Sequence, residues 1–379
     1  MAVLRGFSEL ADTGEAVREF ADSVDQSNLA LILFFCSPSM DREVVRDVLT
    51  RRFPDCALVG CTTAGEITPY GYREGSVTGV SFSADHFHVV TQLVPRLNDF
   101  SIEDVRAAGG EAIECLKEKL GAGFDPNRTF AMLLVDGLSR QEEAVVSTLD
   151  SVLGAIPLFG GSAGDGLEFH DTYVFYGGRF VQDAAVLTLI QTNCGFEVFK
   201  FDHFQATERK MVVTEADPDR RIVTEINAEP AAVEYARLVG LDETELSPMI
   251  FASHPVVVRV GGEYHVRSIQ QVEDDGSLRF YCAIDEGLVL TVADCNDMVS
   301  HLEATLDTLS RQVGQSQVIV GFDCILRRLE AERNQQAIAV SDILSKYKVV
   351  GFNTYGEQYR SMHVNQTFTG VIIACPRPA

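Results

Sequence analysis

Three glycine-rich stretches hold the residue types that could do chemistry: GCTTAGE at 60–66, GGSAGDG at 160–166 and GFNTYGE at 351–357. Backbone N–H groups freed at a strand end can cradle an anion. A phosphate loop of the G-x-x-x-x-G-K-[ST] type would need Lys where Glu66 and Glu357 stand, and an acid there repels phosphate. Gly160, Ser162 and Gly164 spell G-x-S-x-G, the elbow of a Ser-dependent hydrolase, but that motif requires a helix straight after the Ser. DGLEFHDTYVF reads instead as turn then strand, and the related loops replace the Ser by Thr or Asn. The reading is therefore non-enzymatic. Thr63, Glu66, Ser162, Thr354 and Glu357 are taken as turn and packing residues that border a ligand pocket.

Arg259 and Arg267 lie in otherwise apolar strands of an acidic chain, so each is expected to face a carboxylate. That carboxylate belongs to a ligand such as an amino acid, or to Glu263 or Glu273 in a cross-strand pair. Nine cysteines form an odd set with no CxxC pair, mostly inside apolar runs. Buried free thiols are expected, with neither disulfide nor zinc site.

The elements that must position these residues repeat. LALILFFCSP is a strand buried on both faces, followed by a helix from Asp41 that Pro54 stops, a strand CALVG, the first loop and a strand SVTGVSFS. TFAMLLVDG, a helix from about Glu142 to Gly154, IPLF with its loop and AAVLTLI repeat the order. SQVIVGFDC, a helix lined by Ala337, Val340, Leu344 and Tyr347, KVVGFNTYGE and TFTGVIIAC repeat it again. The first and third loops share G-x-x-T-x-G-E, which marks an internal repeat. Residues 196–300 differ: alternating runs, an Asp217-Pro218 turn and hairpins at Asp275-Gly276 read as strands around one short helix. The expected class is mixed α/β in two domains, 28–225 and 226–379, after a lead-in over 1–27.

At 379 residues and 46% hydrophobic content the chain should fold throughout, and its net charge of −24 opposes binding to nucleic acid or anionic membrane. No apolar signal core or run of about 18 apolar residues is present, so a cytoplasmic protein is expected.

The GCTTAGE strand-loop resembles the FIST N-terminal domain. INAEPAAVEYA, the HVRSI and DDGSL hairpins, VGFNTYGEQY and HVNQTFTG resemble the FIST C-terminal domain. The resemblance spans 28 to about 375 and implies a bacterial sensory protein of signal transduction, coupled to a histidine kinase or a cyclic-di-GMP enzyme. FDHF, MVVTEADP, FASHPVVVR and GFDCILRRLE are similar to a NosP-like subgroup, which implies haem and nitric oxide as ligands. Under that resemblance the iron ligand is one of His254, His203, His265 and His170, with His254 and His203 leading. Arg259 and Arg267 would then meet the propionates, with Arg327, Arg328 and Arg360 as further candidates, and Cys375-Pro376 has the look of a redox-dependent haem-binding dipeptide. A sensor of an amino acid without haem is the alternative. Exposed sheet edges make a homodimer the expected assembly.

Overall fold

The computed structural model describes residues 1–260, 262–314 and 316–375. One order of elements recurs three times: strand, helix, strand, helical segment, strand, hairpin, strand. The first unit runs from strand Val3–Ser8 to strand Val77–Ser83, the second from Phe87–Pro95 to Ala184–Thr192, and the third from Gly195–Phe201 to Phe368–Ala374. In each sheet the unit's first, last, second and third long strands lie side by side in that order. The second and third are parallel, as Leu31↔Ala57 and Ile319↔Val349 show, because a helix carries the chain back between them.

The short hairpins change partners. Glu66–Thr68 of the first unit pairs with Val349–Thr354 of the third, Val174–Tyr176 of the second with Ala57–Thr62 of the first, and Glu357–Tyr359 of the third with Leu158–Ser162 of the second. The exchange is cyclic, so each unit completes its neighbour's sheet.

The long strands are apolar on both faces because both are covered. Helices cover the outer faces, as where Phe20 and Leu49 meet Ile32 and Phe34. The inner faces of all three sheets share one core. Phe35 stacks on Phe352 with centroids 4.7 Å apart, and Phe159 on Phe322 at 5.4 Å, which joins side chains of all three units near the centre.

Between the first strand of the third unit and its helix Met298–Val313, the chain detours through an inserted antiparallel sheet with its own core around Tyr235, Phe251 and Leu290. The segment read as a lead-in, 1–27, is instead the opening strand and helix of the first unit: Val3–Ser8 pairs with Val77–Ser83, and Thr13–Val24 buries Val17 and Phe20. Gly6 and Arg5 had masked the strand's pattern. The division at 225/226 falls inside the inserted sheet, within strand Ile222–Ile226, which pairs with Phe204–Asp217.

The expectation of free thiols throughout needs one correction: Cys194 and Cys375 form a disulfide across 181 residues. Strand Gly195–Phe201 pairs with Phe368–Ala374, with Gly195 opposite Ala374, so the two cysteines flank the end of that ladder. Pro376 lies outside the described residues. No helix among them is long and apolar enough to cross a membrane.

Candidate functional site

The three glycine loops meet where the sheets converge. Ala64 N–H donates to Asn353 O at 3.0 Å, Gly164 N–H to Thr62 O at 3.1 Å, and Ser162 N–H to Gly356 O at 2.8 Å, so every loop is bonded to another. A Cβ on Gly164 would stand 2.8 Å from Ala64 N, which explains glycine there.

The shared Thr and Glu are pins within this ring. Thr63 Oγ1 donates to Glu66 Oε1 at 2.5 Å, and Ser76 donates to Oε2 through its N–H at 3.0 Å and its hydroxyl at 2.7 Å. Thr354 donates to Glu357 Oε1 in the same way, and Thr367 to Oε2 through N–H at 3.2 Å and hydroxyl at 2.7 Å. Burial pushes the Glu66 carboxyl up to about 7 and that of Glu357 to about 8, against the hydroxyls that favour the charged forms.

The second unit departs from this rule. Ala163 stands where the other loops have Thr, and the carboxylate comes from the end of the preceding strand: Asp136 accepts from Thr172 Oγ1 and from Asp183 N–H at 2.5 Å. The loop from 163 to 173 is free to be long. Asp165 gathers it by accepting from the N–H groups of Phe169 at 2.9 Å, His170 at 2.7 Å and Asp171 at 2.8 Å. Phe169, with φ of 55°, is thereby turned onto Tyr355, centroids 4.8 Å apart, with Tyr281 of the insert 6.0 Å from Phe169.

These aromatic rings floor a cleft of about 320 Å³ between the second unit, the third loop and the insert. Arg140, Arg220, Arg221 and Arg279 line it with His170. Arg221 is buried and paired with Glu142 at 2.8 Å and Glu143 at 2.7 Å, and Arg279 with Glu273 at 2.5 Å. Arg220 has Asp217 at 4.0 Å. Arg140 has no ion pair or hydrogen bond among the described residues, and its φ of 58° holds it in the left-handed region. Partial burial, then Arg279 and Arg221, lower its pKa from the usual arginine value. An anion entering the cleft would relieve that repulsion.

Of the residues expected from sequence, the structure brings only His170 to this cleft. Ser162 is buried and accepts from Gln358 Nε2 at 3.0 Å; Gln358 also meets His363 Nδ1 at 3.2 Å, so an amide stands between the hydroxyl and that imidazole. Arg259 is exposed at a strand end, donating to Gly262 O at 3.4 Å, while Arg267 and His265 line a second cavity. Glu273 is taken by Arg279, and the side chain of Glu263 lies outside the described residues. Arg328 is engaged by Glu74 and Glu332, at 2.8 and 2.9 Å. Arg360 lies over the ring of Tyr359. His254 caps helix Pro248–Ser253, half-buried, its Nδ1 3.3 Å from Ile250 O, and burial lowers its pKa.

His203, Cys295 and Glu330 place ligand atoms within 4.8 Å of one another, a plausible set for zinc by type. The proton inventory argues otherwise. The fully buried Arg327, itself bonded to Asp323 at 2.6 Å, can only donate, so His203 Nδ1 accepts from it at 2.7 Å. Nε2 must then carry the proton, which it donates to Glu330 at 2.9 Å. A metal on Nε2 would require an imidazolate. His203 is a locked neutral histidine, its pKa lowered first by burial.

The cleft's arginines escaped the sequence reading because they come from three separate segments. The long second loop, against its two short counterparts, was the available signal.

A preformed cleft where cationic and aromatic groups converge is the build of a small-ligand binding domain. The chain matches the FIST N domain over residues 30–229 and the FIST C domain over 231–360, and it belongs to the FIST family, whose domains are sensory. An uncharacterized protein of Methanocaldococcus jannaschii is 22% identical, the match covering 90% of this chain and 73% of that protein. Among solved structures, cyanuric acid hydrolase from A. caulinodans is similar over 99% of both chains with a TM-score of 0.43 and 7% identity. A second cyanuric acid hydrolase structure gives 0.39 and 8%, again over 99% of both chains. At these values the likeness carries neither reaction nor substrate to this chain.

Proposed function

We propose that this protein is a non-catalytic sensor of a small anionic metabolite, bound in the arginine cleft between the three-unit ring and the insert. The observation that carries the reading is Arg140: an arginine with no ion pair or hydrogen bond among the described residues, crowded by three others over an aromatic floor, in a chain of net charge −24. A carboxylate or phosphate would pair with Arg140 and draw on Arg220, and a planar or apolar portion would lie on Phe169 and Tyr281. An amino acid with an acidic side chain fits this description. Because the cleft spans ring and insert, occupancy favours the arrangement in which both walls are in place. The signal passes to a separate protein, a histidine kinase or a cyclic-di-GMP enzyme in keeping with the family. A thermal-shift screen of the full chain with phosphate, aspartate, glutamate and matched cations tests this. Stabilisation by an anion at millimolar concentration is expected, and none by any of them overturns the reading.

Haem, with nitric oxide as its ligand, is the second reading, and one observation favours it. His170 stands among arginines that could meet propionates, whereas His203 has both ring nitrogens engaged. Haem would supply iron for nitric oxide to bind. A Soret band that saturates at one haem per chain and is lost in His170→Ala supports this reading, and absence of the band removes it.

A further inference from the structure

A second cavity, of about 570 Å³, opens on the other side of the Arg221–Glu143 pair. Its walls are the start of helix Ile102–Leu120, helix Glu142–Leu153, the hairpin lent by the third unit, and the insert's edge strand Glu263–Arg267. Two observations mark it as built. First, Arg267 brings its guanidinium to this cavity with Nε and Nη1 both buried, no carboxylate on it among the described residues, and only the thiol of Cys282, a weak acceptor, beside it. A buried guanidinium donor without an oxygen acceptor carries a desolvation penalty that an arriving carboxylate would remove. The carboxylate that shares the cavity does not serve: Glu143 is held by Arg221 at 2.7 Å and by Ala283 N–H at 2.6 Å. Second, the lining includes an apolar set, Phe100, Ile102, Val260 and Met362, beside hydroxyls and the imidazoles of His265 and His363; Ile102 and Val260 are about half exposed at 49% and 48%.

We propose that this cavity binds a carboxylic acid with a short apolar tail, the carboxylate on Arg267 and the tail between Ile102, Val260 and Met362. The site is separate from the arginine cleft, whose own ligand is more strongly anionic and rests on an aromatic floor. It lies where the insert's edge strand meets the ring, so its occupant bridges the same two bodies that the cleft does.

Isothermal titration of the full chain with hexanoate tests the proposal, with hexylammonium and hexanol as controls. Saturable one-to-one binding of hexanoate is expected, at least about tenfold tighter than either control. Arg267→Gln should weaken it about tenfold or more. Thr148→Phe, which fills the cavity from the helix wall and leaves Arg267 in place, should weaken it likewise if Arg267→Gln does not fold. Arg140→Gln should leave it unchanged, which separates this site from the cleft. Hexanoate that fails to saturate by about 10 mM, binds no better than hexanol, or binds equally well to Thr148→Phe overturns the proposal.

Discussion

The first and third glycine loops end in the same way, and the second does not. In the former, Thr63 with Glu66 and Thr354 with Glu357 form closed boxes in which the carboxylate oxygens, the hydroxyls and a backbone N–H are all partnered. In the second unit Ala163 removes the hydroxyl, Asp136 takes over the carboxylate from a neighbouring strand, and the loop it releases builds the wall of a cleft. Two copies of the repeat thus keep the Thr–Glu box, and the other gives it up for a longer loop that lines the cleft, where the proposed reading would put recognition. The satisfied copies hold the ring together, and the relaxed copy leaves Arg140 exposed beside the cleft with no ion pair among the described residues.

Breaking a pin should have the largest effect on stability. Glu357→Ala strands the Thr354 and Thr367 hydroxyls in a dry site and is expected to cost about 3 kcal/mol in urea unfolding. The equivalent truncation in the cleft, Arg140→Gln, should leave unfolding unchanged within about 0.5 kcal/mol, or raise stability slightly by removing repulsion. A loss comparable to that of Glu357→Ala would erase the distinction between the two regions.

The pins also carry a pH signature of defined sign. Unfolded, both glutamates titrate near 4.5; folded, near about 7 and about 8. Between about 4.5 and 8 the folded protein therefore holds protons that the unfolded chain has released, and stability falls as pH rises through that window. Glu66→Gln should flatten the part of the slope below about 7. Its amide can take the place of the protonated acid, since Thr63 Oγ1 can turn its proton to Cys36 O at 3.4 Å. An unchanged slope in this variant would refute the assignment.

The smallest expected effect links the two cavities. An anion in the cleft competes with Glu143 for Arg221, and the released Glu143 charge disfavours a carboxylate in the second cavity. Phosphate should weaken hexanoate binding about fivefold and hexanoate should weaken phosphate by the same factor, with Glu143→Gln abolishing both.

The long strands and their helices were legible because covered strands read as apolar runs and covering helices as a 3.6-residue period. So was the Thr-x-Gly-Glu repeat. The cyclic hairpin exchange was not, because Glu66–Thr68 carries no local mark of whether it pairs within its own unit or with Val349–Thr354. Cys194 and Cys375 gave no sign of pairing across 181 residues. His203 could be read as a ligand-capable histidine among aromatics, but only tertiary structure shows that Arg327 and Glu330 consume both its nitrogens. Arg140, Arg221 and Arg279 meet only because the insert folds back over the ring.

The most direct test of the cleft as the sensing site is isothermal titration of aspartate and of phosphate into the wild-type chain and Arg140→Gln, at low salt. The account predicts saturable binding of at least one of the two to the wild type and a loss of about tenfold or more in the variant. Equal affinity in both proteins would contradict it.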